Sequence, residues 1–240
     1  MFIQDNLGQL TEVKAGQVGT GLLIEHDGHI LGKQDTLLQI KEDIAHHDKF
    51  VIPDDFIVSA VFQKYGVKNA NGRIYPENIL KREVQKYLEN QVKMHTSVSA
   101  LDHPTSSSLS GHDVAHRILD LRWEGHTLVG EMKLHLSPGF KRYGVCSTSG
   151  DLVASMLLDD IRVGVSSRAV GSVEQRMGAL YVGDDLELIC FDNVLEPSTP
   201  NAWISTNFDE LRPFIESDIL KNEKPIVNEK LSKINKILIG

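Results

Sequence analysis

Gly164-Val165-Ser166-Ser167-Arg168-Ala169-Val170-Gly171 holds two serines and an arginine between glycine ends. Read with Arg162 and Val163 before it, the run is strand-like. Side chains alternate along an extended chain, so Ser166 and Ser167 face opposite sides. Only one of them can point at a partner; the other packs. A serine beside a cation and backbone donors suits a nucleophile, provided that a base takes its proton. Histidine is the usual base near neutral pH. His103, in the pair His103-Pro104, ends the apolar run Val98-Ser99-Ala100-Leu101. Only the fold can bring so distant a histidine to the serine. The run is not a nucleophile elbow, because Arg168 stands where Gly-x-Ser-x-Gly needs its second glycine. An esterase of that kind is disfavoured.

Working outward, strands are expected at Ile57–Phe62, in a hairpin spanning 113–135 with its turn at Glu124-Gly125-His126, and in four runs between 162 and 194. Pro76 opens a helix whose Ile79, Leu80, Val84, Tyr87 and Leu88 repeat on one face. Residues 150–159 read as a second helix, with Asp151 complementing its dipole. Short strands mixed with helices give an α+β class, with an antiparallel, barrel-like sheet and helices outside. Residues 1–50 are polar and glycine-punctuated and read as a partly flexible arm. Residues 51–208 form the domain, and 209–240 a charged tail with an amphipathic pattern from Leu220 to Leu238.

The chain has 240 residues, 41% hydrophobic and 24% charged, which suits one domain with tails. A net charge of −8 argues against coating nucleic acid. Cys146 and Cys190 give no disulfide framework, and Cys190 sits in an apolar run as a buried thiol. The start of the chain lacks the basic and apolar regions of a signal peptide, and no run is long enough for a membrane span.

Two more segments complete a pattern. One is Lys68-Asn69-Ala70-Asn71-Gly72-Arg73-Ile74-Tyr75-Pro76; the other runs from Phe191-Asp192-Asn193 through Glu196-Pro197-Ser198-Thr199-Pro200 to Trp203. In this order, over about residues 57–205, the four segments resemble the prohead core proteases of T-even-type phages, serine proteases similar in fold to the herpesvirus assembly protease. The resemblance implies Ser166 as nucleophile and His103 as general base. Backbone N–H groups around Ser167 and Arg168, or the Arg168 side chain, would stabilise the oxyanion; a salt bridge is the alternative for Arg168. No cofactor or metal is implied.

The third member stays open. The herpesvirus enzymes use a histidine on a later strand, but no histidine follows His135 here. Asp192 lies on such a strand and is the preferred acceptor; Asp113 and His112 are other candidates, while Asp102, adjacent to His103, points elsewhere in an extended segment. His112 and His116, four apart, would suit zinc only on a helix, and this region reads as strand. The Asn71-Gly72-Arg73 turn reads first as structural, with Gly72 at positive φ and Tyr75 packed; a place for Arg73 near the substrate is the alternative.

The resemblance also implies an enzyme enclosed in the prohead, within the host cytoplasm, that cleaves scaffold, capsid protein and itself after glutamate. It implies no direct nucleic-acid or membrane partner, and leaves room for a homo-oligomer. Leu23-Ile24-Glu25, Ile40-Lys41-Glu42 and Phe214-Ile215-Glu216 carry an aliphatic or aromatic residue two positions before glutamate. A non-catalytic capsid or scaffold component sharing the fold is the alternative; loss of Ser166 or His103 would mark it.

Overall fold

The computed structural model describes residues 2–4, 10–12, 21–24, 30–32, 52, 55–104, 107–176 and 178–197. Glu25, Glu42, Glu216, Trp203 and the 209–240 tail lie outside them. The β-branched and aromatic run Ile57–Lys64 forms a strand, β5, whose six central residues are buried. It pairs antiparallel with β9 (Thr127–Leu134), which returns from β8 (Val114–Glu124) through the turn at Gly125. Gly125 sits at φ +60, where a side chain would be strained. β7 (Val98–Ala100) borders β8, and β4 (Ile30–Gly32) borders β5, giving the order β4-β5-β9-β8-β7. Gly130 on β9 is required, since a Cβ there would lie 2.2 Å from the Asp120 carbonyl oxygen.

A second sheet carries the motif that opened the sequence. β10 (Gly164–Gly171) lies between β13 (Glu187–Val194) and β3 (Gly21–Ile24), with β1 (Phe2–Gln4) and β2 (Leu10–Glu12) beyond. A small third sheet joins β11 (Val173–Arg176), β12 (Ala179–Val182) and β6 (Arg73–Ile74), the last parallel to β12.

Helix α1 (Glu77–Tyr87) follows Pro76, whose φ of −62 and ψ of 141 set the entry. It runs on into a π-helical turn, Leu88–Val92. Of the face predicted from spacing, Ile79, Leu80, Val84 and Tyr87 are buried and Leu88 is half-buried, and Tyr87 meets Phe191 of β13 edge-on at 5.6 Å. Phe62 of β5 meets the same ring at 5.2 Å, so Phe191 joins the two large sheets at the core. Helix α2 (Pro138–Tyr143) is short. Helix α3 (Ser149–Leu158) starts with a capping box between Thr148 and Asp151.

One expectation is corrected. Among the described residues the antiparallel strands do not close into a barrel: the edges β7 and β13 approach each other but share one parallel bridge, Leu101 to Asn193, instead of a ladder. Continuous pairing around the ring is what closure requires. Within 1–50, residues 21–24 and 30–32 are strands paired with β10 and β5. Their order comes from distant backbone partners, which a polar, glycine-punctuated sequence does not announce.

Candidate active site

Register brings the first two groups together. On the β10–β13 ladder Ser166 stands opposite Asp192, and Ser167 opposite Phe191. The third group arrives from β7. Past its last residue, the Asp102 N–H donates to the Asn193 carbonyl at 2.7 Å. Asp102 then takes a left-handed φ of +61, a costly conformation for aspartate that turns the chain toward the sheet edge. His103 follows directly, and the exposed Asp102 side chain is not the one its neighbour contacts.

The His103 ring spans both groups. Its Nδ1 lies 2.8 Å from Asp192 Oδ2 and its Nε2 lies 2.7 Å from Ser166 Oγ. An ionised carboxylate can only accept, so Nδ1 carries the proton and donates to Asp192. Nε2 is then the acceptor for the Ser166 hydroxyl. Ser166 and Asp192 expose no surface, while His103 keeps 9% of its side chain open.

Asp192 is held on both oxygens. Ser99 Oγ donates to Oδ1 at 2.5 Å, the Ala100 N–H donates to it at 3.2 Å, and Arg168 Nη2 at 3.1 Å. Arg168 Nε lies 3.0 Å from Oδ2. Burial pushes the carboxyl up. The His103 hydrogen bond, the Arg168 charge and Ser99 outweigh it and hold Asp192 below the usual carboxylate range. Arg168 is fully buried, and its Nε and Nη2 also donate to Cys190 Sγ at 3.2 and 3.1 Å. Burial, then the Asp192 charge, push the Cys190 thiol up to about 12, so it stays protonated.

Ser167 faces the other way, as alternation predicts. Its hydroxyl accepts from Gln63 Nε2 of β5 at 2.9 Å, a buried contact between the sheets. His116 of β8 lies beneath the site. Asn193 Nδ2 donates to Met132 Sδ, leaving Asn193 Oδ1 to accept from His116 Nδ1 at 2.7 Å. Burial pulls the His116 pKa down to about 4. His112 and Asp113 sit in an exposed turn before β8. The Asn71-Gly72-Arg73 segment is a tight turn, with Gly72 at φ +75 and its N–H donating to the Asn69 carbonyl at 2.9 Å. Among the described residues no group of three or more His, Cys, Asp or Glu is arranged to hold a metal.

A groove of about 270 Å³ is lined in part by Leu101 and Asp102, the two residues that precede His103 in the chain. Leu101, Leu152, Met156 and Leu195 give it apolar walls, and Asp102, Ser155 and Asp159 also line it. Leu152 and Leu195 are about half exposed. Sequence reading did not single out Ser99, Gln63 or the groove. Ser99 had one legible signal, a polar residue inside the apolar run that leads to His103.

A sequence model of the prohead core protein serine proteases matches residues 21–211. The chain belongs to that family. It is a protease of the phage prohead, the class that its four motifs resemble. The prohead core protein protease of Enterobacteria phage T4 is 27% identical over 189 residues, covering 78% of this chain and 76% of the relative. The solved structure of the bacteriophage T4 capsid assembly protease superposes with a TM-score of 0.59, at 23% identity. It covers 74% of this chain and 99% of that one, and shows that the two share a fold.

Proposed function

We propose that this family member is a serine endopeptidase with Ser166 as nucleophile, His103 as general base and Asp192 as the acceptor that orients the base. The observation that carries this reading is the pair of contacts through one imidazole, 2.7 Å to Ser166 and 2.8 Å to Asp192. His103 Nε2 takes the Ser166 proton as Oγ attacks the scissile carbonyl carbon. The resulting oxyanion draws on backbone N–H groups around Ser167 and Arg168. His103 then hands its proton to the leaving amine as the C–N bond breaks. Water enters, His103 takes a proton from it, and the acyl-enzyme is hydrolysed to a free carboxylate and a restored serine.

The substrates of this reading are phage scaffold and capsid proteins and the chain itself, inside the prohead. Cleavage follows glutamate, with an aliphatic residue two positions before it. The groove lined by Leu101 and Asp102 supports the aliphatic half: its apolar walls suit such a side chain, and Asp102 and Asp159 repel a glutamate there. The glutamate itself therefore binds elsewhere. Residues 51–208 form the protease domain, and its kinship with the herpesvirus protease fold is part of the same proposal. Peptides of the form aliphatic-x-Glu and aliphatic-x-Gln, offered to wild type and Ser166→Ala, test it. Wild type should prefer the glutamate peptide by at least about tenfold, a polar-contact difference of ~1.4 kcal/mol, and Ser166→Ala should cleave neither. Equal cleavage of both peptides removes the glutamate assignment.

A further inference from the structure

We infer that Arg168 is a positioning residue: its buried guanidinium clamps Asp192, fixes the carboxylate for one histidine tautomer, and moderates how strongly it attracts a charged imidazole. This rests on the serine-protease reading of the site. The warrant begins with register. Ser166–Asp192 and Arg168–Cys190 are paired positions two residues apart on the same face of the β10–β13 ladder. The guanidinium reaches across this patch to the carboxylate, with Nη2 on Oδ1 at 3.1 Å and Nε 3.0 Å from Oδ2. Two contacts fix both the position and the rotation of the carboxylate, which a single point charge would not. Cys190 Sγ accepts from the same two nitrogens and steadies the fork.

Charge follows from burial. Arg168 and Asp192 are both closed to solvent, so each needs the other as counter-ion. The other titratable groups around the carboxylate are Cys190 on β13, His116 on β8 and Tyr87 on α1. Burial raises Cys190 to about 12 and Tyr87 well above its ordinary value, and lowers His116 to about 4. All three are neutral between about pH 5 and 9. Among the described residues, the charges acting on Asp192 in that range are Arg168 and, once protonated, His103. The arginine therefore opposes proton uptake by the His103–Asp192 pair.

The test is the pH profile of kcat/KM for full-length wild type, Arg168→Met and Arg168→Lys on one cleaved peptide. Arg168→Met should move the acid limb about one pH unit upward, because a cation no longer resists the proton. Its kcat should fall roughly 10-fold to 100-fold with KM little changed, as a loosened acceptor misaligns the base. Arg168→Lys should keep the acid limb near wild type, yet lose turnover because one contact replaces two. A folded Arg168→Met with an unmoved acid limb overturns the inference. A second measurement does not depend on Met variant folding or on cleavage. In ¹⁵N-labelled Ser166→Ala, the Arg168 Nε–H resonance should shift with the same midpoint as the His103 ring. A flat Arg168 resonance across the His103 titration also overturns it. Cleavage by Ser166→Ala would instead refute the serine reading, a separate failure.

Discussion

Asp192 has its partners arranged so that loss of its charge has two costs. Asp192→Asn would offer an amide N–H to His103 Nδ1 and favour the tautomer that cannot accept from Ser166. It would also leave Arg168 buried without its counter-charge, a loss of ~3 kcal/mol or more. We expect kcat to fall about 10²-fold to 10⁴-fold and the protein to melt earlier, while His103→Ala loses about 10⁴-fold or more with a smaller change in melting. Wild-type turnover in Asp192→Asn would remove Asp192 from the site. Residue chemistry was the legible part of this chain. Strand alternation separated Ser166 from Ser167, and the motif order pointed to His103 and Asp192. A salt bridge was legible as one of two roles for Arg168, but its partner was not, because Arg168, Ser99 and Gln63 acquire their partners only through sheet register. The bond from Gln63 to Ser167 spans 104 positions.

At the scale of elements, β8 and α3 each carry a prediction. His116 on β8 is neutral when folded down to about pH 4, whereas the unfolded chain takes the proton near its ordinary 6.5. The unfolded state therefore binds more protons between these values, and stability falls as pH drops through that window, by ~3 kcal/mol in full. His116→Gln, which can still donate to Asn193 but does not titrate, should flatten this slope. Urea midpoints at pH 7 and 4.5 read it; equal slopes in both proteins would contradict the burial argument. The lowered carboxyl of Asp192 acts lower still, losing its contribution only as pH falls below about 4. On α3, Leu152 is half exposed and lines the groove with Leu101 and Asp102. Leu152→Asp should fold normally and lower kcat/KM on aliphatic-x-Glu peptides roughly tenfold, mostly through KM. An unchanged KM would move the aliphatic subsite elsewhere. Gly150, at the start of the same helix, shows what sequence alone hides. A Cβ there would lie 2.3 Å from the His135 carbonyl oxygen, yet nothing in the helical pattern marks a close approach. The two long helices and the hairpin were legible because their apolar spacing and turn residues are local; the short strands β3 and β4 were not.

Across the whole molecule, the strand nearest the start of the family match has a structural task. β3 pairs with β10 at Arg168, Ala169, Val170 and Gly171, starting two residues past Ser166. Trimming after Glu25 would cut immediately beyond it, so self-processing and the shape of the site are linked in this reading. We expect wild-type protein to lose segments ending at Glu25 or Glu42, and to be cut near Glu216, while Ser166→Ala keeps an intact mass. Identical trimming in both would assign the cuts to another protease. The central claim is that one serine of the Ser166-Ser167 pair is the nucleophile and the other a packing residue. Purified wild type, Ser166→Ala and Ser167→Ala, incubated with phage scaffold protein and read by mass spectrometry, test it most directly. Ser167→Ala should lose about 1 kcal/mol of stability with the Gln63 contact and keep cleavage within roughly tenfold of wild type. Ser166→Ala should lose about 10⁴-fold or more. Cleavage retained by Ser166→Ala and lost in a folded Ser167→Ala would contradict the account.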